Sequence, residues 1–108
     1  MGESLQIQLK KGVLEMCVLA LLSKGDNYAY DIASRMAEAV GMGEGTIYPL
    51  MRRMQADGLV ETYLVESQAG PSRKYYRLTP VGRGRFEEQK TEWTAFSEAV
   101  NAILGGAQ

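Results

Sequence analysis

The 108-residue chain is predicted to adopt a mainly α-helical, α+β fold, in which three helices precede a two-stranded sheet and a long helix follows it. Three observations predict this. Apolar residues recur at three- and four-residue steps in the first half of the chain, which is typical of helices packed on a core. Two strand-like segments then flank Ser67–Ser72, whose residues favour turns. After Thr79 the helical spacing returns and continues to about Leu104.

The first predicted helix covers Leu5–Ser23, and Gly25 is expected to cap its C-terminus. Its apolar residues wrap nearly around the helix and are interrupted by Glu15. Such a helix needs cover on more than one side, so we expect it to contact its own domain and also a second subunit or the C-terminal helix. Cys17 lies in this run and is interpreted as an inert, buried thiol. A single cysteine forms no internal disulfide, which favours a reducing, intracellular compartment.

Two shorter helices are predicted next. The second helix covers Tyr30–Val40, and the third begins at Gly43 or Glu44 and closes at Asp57-Gly58. Pro49 lies near the start of the third helix, where a missing amide hydrogen costs little. One stripe of the third helix is apolar and is expected to face the core. It consists of Ile47, Leu50, Met51 and Met54.

The strands are predicted at Leu59–Glu66 and Lys74–Leu78, and Thr79-Pro80 is a strong start signal for the last helix. Three helices followed by a hairpin form the winged helix-turn-helix plan, in which the third helix enters the major groove and the hairpin is the wing. We therefore predict a DNA-binding domain over residues 1–79 and a dimerisation helix over 80–108. Apolar residues near a seven-residue recurrence in that helix favour a partner helix. They are Phe86, Trp93, Phe96, Val100, Ile103 and Leu104.

The distribution of charge supports a nucleic-acid partner although the net charge is −1. Residues 1–44 carry a charge of −2, residues 45–86 carry +4, and residues 87–108 carry −3. Attraction to phosphate acts within a Debye length of ~8–10 Å, so the charge of a local segment matters more for DNA binding than the net charge of the chain. The middle segment is therefore predicted to be a basic patch on an otherwise acidic molecule.

Two groups of side chains in this segment are candidates for contact with duplex DNA. Arginine forms bidentate hydrogen bonds with guanine or phosphate, and tyrosine and lysine donate hydrogen bonds to phosphate. The alternatives are a solvated helix face with Tyr48 half-buried and an edge strand whose charges prevent aggregation. The candidates on the third helix are Thr46, Tyr48, Arg52 and Arg53, and those on the wing are Ser72, Arg73 and Lys74.

Other chemistry has little support in the sequence. There is no histidine and one cysteine, so we predict no catalytic residues, no metal site and no cofactor. The glycines of Gly41–Gly45 follow a helix rather than a strand, which excludes a dinucleotide-binding turn. The apolar run Met16–Leu22 is far shorter than the ~20 residues that span a bilayer, and no signal-peptide pattern is present. A soluble, cytoplasmic protein without a membrane partner is therefore expected.

Several short segments, taken together, resemble the PadR family of bacterial transcriptional regulators. They are Gly12–Glu15, Tyr28–Ile32, Glu44–Leu50, Arg52-Arg53, Asp57–Leu59 and Arg73–Thr79 with Gly82. The resemblance implies a winged-helix repressor that binds operator DNA as a homodimer. The single C-terminal helix resembles the smaller branch of the family, which includes multidrug-sensing repressors with a tryptophan at the dimer centre. The chain departs from the family at Asp31, where glycine is frequent, and at Ser97, where some drug-binding relatives carry an acidic residue.

Trp93 is the second candidate site. With its symmetry mate it is predicted to wall a slot for a planar aromatic ligand, because stacking on indole requires no exact hydrogen-bond partner. Simple packing between subunits is the alternative. The residues expected at this ligand and dimer interface are Leu9, Met16, Ala20, Trp93, Phe96, Ser97 and Val100.

We therefore predict a homodimeric repressor, released from operator DNA when a planar aromatic ligand binds near Trp93 and changes the separation of the wings. The alternative function is a winged-helix protein-interaction module that binds neither DNA nor ligand. An enzyme is not expected.

Overall fold

The computed structural model describes residues 4–105 and confirms the mainly helical fold with a small sheet and a long last helix. Residues 1–3 and 106–108, the outer ends of the two predicted domains, lie outside the described residues, and the division after residue 79 stays a prediction. The elements, in chain order, are α1 (Leu5–Ser23), β1 (Asn27–Tyr28), α2 (Ala29–Val40), α3 (Glu44–Ala56), β2 (Val60–Ser67), β3 (Gly70–Leu78) and α4 (Pro80–Leu104).

Helix ends follow local hydrogen bonding. The Ser4 side chain accepts from the backbone N–H of Ile7 at the start of α1, and Thr79 accepts from that of Gly82 at the start of α4. Such caps satisfy backbone donors that have no partner within the helix. At the end of α1 the cap residue is Lys24 rather than Gly25, which follows it with a φ of +150°.

The sheet has three antiparallel strands in the order β1-β3-β2. The sequence did not predict β1, because two residues carry no alternation of polarity. The wing strands also reach further than predicted. Only Gln68 and Ala69 lie between them, so Ser67 and Gly70–Ser72 belong to strands rather than to the predicted turn.

The core lies between α1, α2, α3 and the base of the sheet, and α4 closes it at Phe86. The predicted apolar stripe of α3 is entirely buried, and Tyr76 is the buried member of the Tyr75-Tyr76 pair. Cys17 is half-buried rather than buried, and burial raises the pKa of its thiol. The buried apolar residues are Leu14, Val18, Leu19, Leu22, Ile32, Ala33, Met36, Ile47, Leu50, Met51, Met54, Leu59, Val60, Tyr76 and Phe86.

Glu15 joins α1 to α4. Its carboxylate oxygen Oε2 accepts from Nη1 of Arg85 at 3.1 Å and from Nε2 of Gln89 at 2.8 Å. The acidic interruption of the apolar helix therefore has a partner on each of two successive turns of α4. Beyond this contact both helices keep apolar side chains exposed, and Phe96 is 61% and Ile103 86% exposed. Across residues 4–105, no helix has the length and apolarity needed to cross a membrane.

Candidate nucleic-acid interface

The face of α3 that turns away from the core carries its polar and charged side chains. Thr46, Arg52 and Arg53 are exposed, and Tyr48 is half-buried at the edge of this face. Burial of the opposite stripe determines this arrangement, because residues three and four apart share one side of a helix. Both arginines of α3 therefore project from the molecule together, as the sequence predicted.

Tyr48 lies where α3, the start of α2 and the wing meet. These elements enclose an open hollow of about 430 Å³. Its lining residues are Tyr28, Ala29, Tyr30, Tyr48, Arg73 and Lys74. Burial, and then the charge of Glu44, raise the pKa of Tyr48, so its hydroxyl stays protonated and able to donate. The structure thus brings together three of the predicted site residues, Tyr48, Arg73 and Lys74.

Arg73 and Lys74 follow one another on β3, so their side chains begin on opposite faces of the sheet. The guanidinium carbon of Arg73 lies 4.5 Å from the centre of the Tyr28 ring. The ammonium nitrogen of Lys74 lies 6.0 Å from the centre of the Tyr76 ring. Aromatic faces therefore hold both cations near the base of the wing. Ser72 is exposed further towards the tip and does not line the hollow.

Tyr76 also links the wing to α3. Burial raises the pKa of its hydroxyl, and the charge of Arg52 acts in the opposite direction. We call the exposed arginines of α3 and the two wing cations that line the hollow the basic face: Arg52, Arg53, Arg73 and Lys74.

The basic face is not neutralised by carboxylates within the part of the chain that the structure describes. Arg52, Arg53, Arg73 and Lys74 make no ion pair there, whereas three other arginines do. The three pairs are Arg35 with Asp31, Arg77 with Glu61 and Arg85 with Glu15. The cations predicted to contact DNA are thus available to an external anion.

The start of α2 is a part of this surface that sequence reasoning missed. Among the described residues no side chain caps its first turn, and the hollow opens in front of Ala29 and Tyr30. The sequence Tyr28-Ala29-Tyr30 carried no chemical signal of its own, because its position depends on the pairing of β1 with the wing.

Asp31 lies in this same turn, and its charge is offset by neighbours. Its carboxylate accepts from Arg35 Nε at 2.8 Å and from Asn27 Nδ2 at 2.5 Å. The hydrogen bond from Arg35, and then that from Asn27, lower the pKa of the carboxyl. The acidic residue that departs from the resembling sequences is therefore held within α2 and the preceding strand.

The second candidate site is a hollow of about 300 Å³ between α1 and α4. Its lining residues are Gly12, Val13, Met16, Gln89, Glu92, Trp93 and Phe96. Three of the predicted residues, Met16, Trp93 and Phe96, therefore meet here, and Trp93 is 41% exposed.

The other predicted members of the Trp93 site are placed elsewhere in the single chain. Ala20 lines a different groove, of about 510 Å³, between α1 and α2. The Ser97 hydroxyl donates to the carbonyl of Thr94 at 3.1 Å. Leu9 is exposed and Val100 half-buried, and neither lines the hollow at Trp93. Their role at an interface stays a prediction.

Sequence reasoning missed two polar residues in this hollow, Gln89 and Glu92. Because the carboxylate of Glu15 only accepts, the amide of Gln89 must present Nε2 to it. Its oxygen Oε1 is then buried without a hydrogen-bond partner among the groups that the structure describes. A buried acceptor without a partner is costly, so a donor that reaches Oε1 would remove that cost.

Comparison with known proteins agrees with this arrangement. Residues 18–88 match the model of the transcriptional regulator PadR-like family. A PadR-like transcriptional regulator from Bacillus cereus strain ATCC 14579 is 40% identical, with a TM-score of 0.83 over 90% of this chain and 96% of its own. A PadR family transcription regulator from Clostridium difficile R20291 is 33% identical, with a TM-score of 0.78 over 86% of this chain and 99% of its own. A transcriptional regulator from Mycobacterium tuberculosis is 39% identical over 64 residues, which are 57% of this chain and 54% of that protein.

Proposed function

Because the chain belongs to the PadR-like family of transcriptional regulators, and is thus a DNA-binding regulator rather than an enzyme, we propose that it is a homodimeric repressor that grips operator DNA with its basic face. The observation that carries the proposal is that Arg73 and Lys74 of the wing meet α3 at Tyr48, while α3 exposes Arg52 and Arg53. None of these four cations makes an ion pair among the described residues. A protein of this kind acts on chromosomal DNA, so the cytoplasm is its expected location.

In the proposed complex α3 enters the major groove and the wing lies on the adjacent backbone. Arg52 and Arg53 read guanine edges or hold phosphates from the exposed face of α3. One phosphate sits in the hollow at the start of α2, where free backbone N–H groups favour an anion. Lys74 and the hydroxyl of Tyr48 border the same hollow and donate to that phosphate.

Selection from a randomised duplex library tests the DNA-binding proposal. We expect the protein to enrich a pseudo-palindrome whose half-sites lie about one helical turn apart, ~34 Å, because two copies of α3 must reach successive major grooves. The measurement is sequencing of the bound fraction followed by titration of the selected duplex. Failure to bind any duplex at low salt would contradict the proposal and favour the alternative, a winged-helix module for protein interaction.

Exposed apolar residues of α1 and α4 support the proposed dimer. Leu5, Ile7 and Leu9 on α1, together with Trp93 and the C-terminal turns of α4, leave apolar area open to water. Burying such area against a second copy is favourable by ~25 cal/mol per Å². In this arrangement α4 of one subunit packs along α1 and α4 of the other.

A charge on the apolar side of α4 is expected to dissociate the dimer. Phe96→Lys replaces a large apolar ring in the proposed seam with an ammonium group that is costly to bury, so we expect mainly monomer at micromolar concentration. Sedimentation velocity measures the change. Ala95→Lys is the matched control, because Ala95 is the exposed preceding residue on another side of the helix. Equal dissociation by both variants, or by neither, would contradict the proposed interface.

We propose further that a planar aromatic ligand with an N–H donor binds at Trp93 and its symmetry mate. Indole stacking accommodates the flat ring, Gln89 Oε1 accepts the ligand's hydrogen bond, and Glu92 favours positive charge. To release DNA, the ligand must bind more tightly to the arrangement of subunits that does not fit the operator.

The ligand proposal is testable through fluorescence, because Trp93 is the single tryptophan. Titration with a panel of planar dyes should quench its emission, and dyes with an N–H donor should bind more tightly than matched dyes without one. Gln89→Met should reduce this preference by roughly tenfold, since one hydrogen bond in a buried site is lost. No quenching across the panel would leave Trp93 as a packing residue.

A further inference from the structure

The outer face of the sheet carries a continuous row of aromatic rings. Tyr28, Tyr75 and Tyr63 stand opposite one another on β1, β3 and β2. The ring centres of Tyr28 and Tyr75 lie 5.5 Å apart, and those of Tyr63 and Tyr75 lie 5.8 Å apart. Both distances fall in the range of favourable ring contacts.

Cations close both ends of this tyrosine row. Arg73 lies over Tyr28 at 4.5 Å, and Arg77 lies over Tyr63 at 5.0 Å. Arg77 also pairs with Glu61 at 3.1 Å, so it is already neutralised, whereas Arg73 belongs to the basic face. The row therefore runs from β2 to a cation that we assign to DNA contact.

One hydrogen bond fastens the row to the end of α1. The hydroxyl of Tyr63 donates to Oδ2 of Asp26 at 2.7 Å, and this bond is the largest cause of the raised pKa of Tyr63. Asp26 stands between α1 and β1, so the contact joins residues 37 positions apart in sequence.

Apart from the pairing of β1 with β3 and the buried side chains of Val60 and Tyr76, the wing has few contacts that set its direction. Val60 is the only buried residue of β2, and the rest of that strand extends away from the core. A two-stranded ribbon bends and twists readily without packing on one face. The tyrosine row and its bond to Asp26 supply the contacts that a core would otherwise provide.

We propose that Tyr63 is a positioning residue, whose hydrogen bond to Asp26 sets the angle of the wing relative to α1 and thereby places Arg73 and Lys74 for DNA. This inference rests on the proposed DNA-binding function and assigns a task to Tyr63, which that function does not otherwise use.

Tyr63→Phe tests the proposal because it removes one hydroxyl without changing charge. Without the bond the wing samples several orientations. The apparent affinity for DNA then falls in proportion to the fraction of molecules whose wing orientation fits DNA. We expect the affinity for the selected duplex to fall about three- to tenfold, with a change in melting temperature of at most about 4 °C. Tyr75→Phe is the matched control, since among the described residues its hydroxyl makes no hydrogen bond, and it should bind like the wild type.

Measuring Tyr63→Phe in a variant whose wing lacks its cations shows whether Tyr63 acts by positioning those cations or only by stabilising the fold. In the double variant Arg73→Ala, Lys74→Ala the wing has lost its cations, so adding Tyr63→Phe should change affinity no further. An equal loss in both backgrounds, or a Tyr63→Phe protein that binds like the wild type, would overturn the inference alone. Wild-type protein that binds no duplex would instead overturn the proposed function.

Discussion

Replacing Gly82 by alanine is expected to lower the free energy of unfolding by about 3 kcal/mol, because the new methyl group has no space. An ideal Cβ on Gly82 would lie 2.0 Å from the carbonyl oxygen of Leu59 and 2.9 Å from Cδ1 of Leu78. The Leu59 carbonyl cannot move aside easily, since it accepts from the backbone N–H of Thr79 at 3.1 Å and from its hydroxyl at 3.0 Å. Urea unfolding followed by circular dichroism measures the change.

Gly84→Ala is the matched control for this prediction. Gly84 is exposed in the same turn of α4, and no atom lies within 4 Å of an added Cβ. Alanine there should stabilise the protein by about 0.5–1 kcal/mol, because glycine is a poor helix former. Similar effects from the two substitutions would show that the close approach of α4 to Leu59 does not limit the fold.

Removing both arginines of α3 is expected to weaken DNA binding about a hundredfold or more, since each contact to guanine or phosphate contributes about 1–3 kcal/mol. The double variant Arg52→Ala, Arg53→Ala should fold normally, because both side chains are exposed and make no ion pair among the described residues. Titration of the selected duplex by fluorescence anisotropy measures the loss.

A charge-matched control separates local contact from overall charge. Lys24→Ala, Lys90→Ala removes two exposed cations at the end of α1 and on α4. Because these lie outside the basic face, this variant should bind the duplex within about threefold of the wild type, a difference typical of long-range charge alone. An equal loss of affinity in both double variants would mean that the arginines of α3 contribute only through overall charge and do not contact the duplex.

Much of the fold was predictable because its helices carry strong periodicity. The apolar stripe of α3 predicts that Arg52 and Arg53 lie on the opposite face, and the boundaries of α1 agree with the prediction. The predicted element boundaries were wrong where local composition favours one conformation and pairing between strands imposes another. Gly70–Ser72 favours a turn by composition, yet β3 begins at Gly70 because the strand pairing continues to Ser67.

The charge of the candidate site and the exposed face of α3 were predictable, whereas the hollow beside them was not. Clustering of cations in the middle of the chain is visible in the sequence, but the hollow at the start of α2 depends on the pairing of Tyr28 with Tyr75. The buried acceptor on Gln89 depends on Glu15, a residue 74 positions away. Contacts of such separation leave no pattern in one sequence, so Gln89, Asp26 and Tyr63 were found from the structure.

The salt dependence of duplex binding tests the central claim most directly, because each phosphate neutralised by a cation releases counterions. We predict that the logarithm of the binding constant falls steeply and linearly with the logarithm of salt concentration, with a slope of about −0.9 for each phosphate contacted. Lys74→Ala should reduce the magnitude of that slope by about one for each bound subunit. A slope near zero, or a slope unchanged by Lys74→Ala, would contradict the assignment of the basic face to DNA.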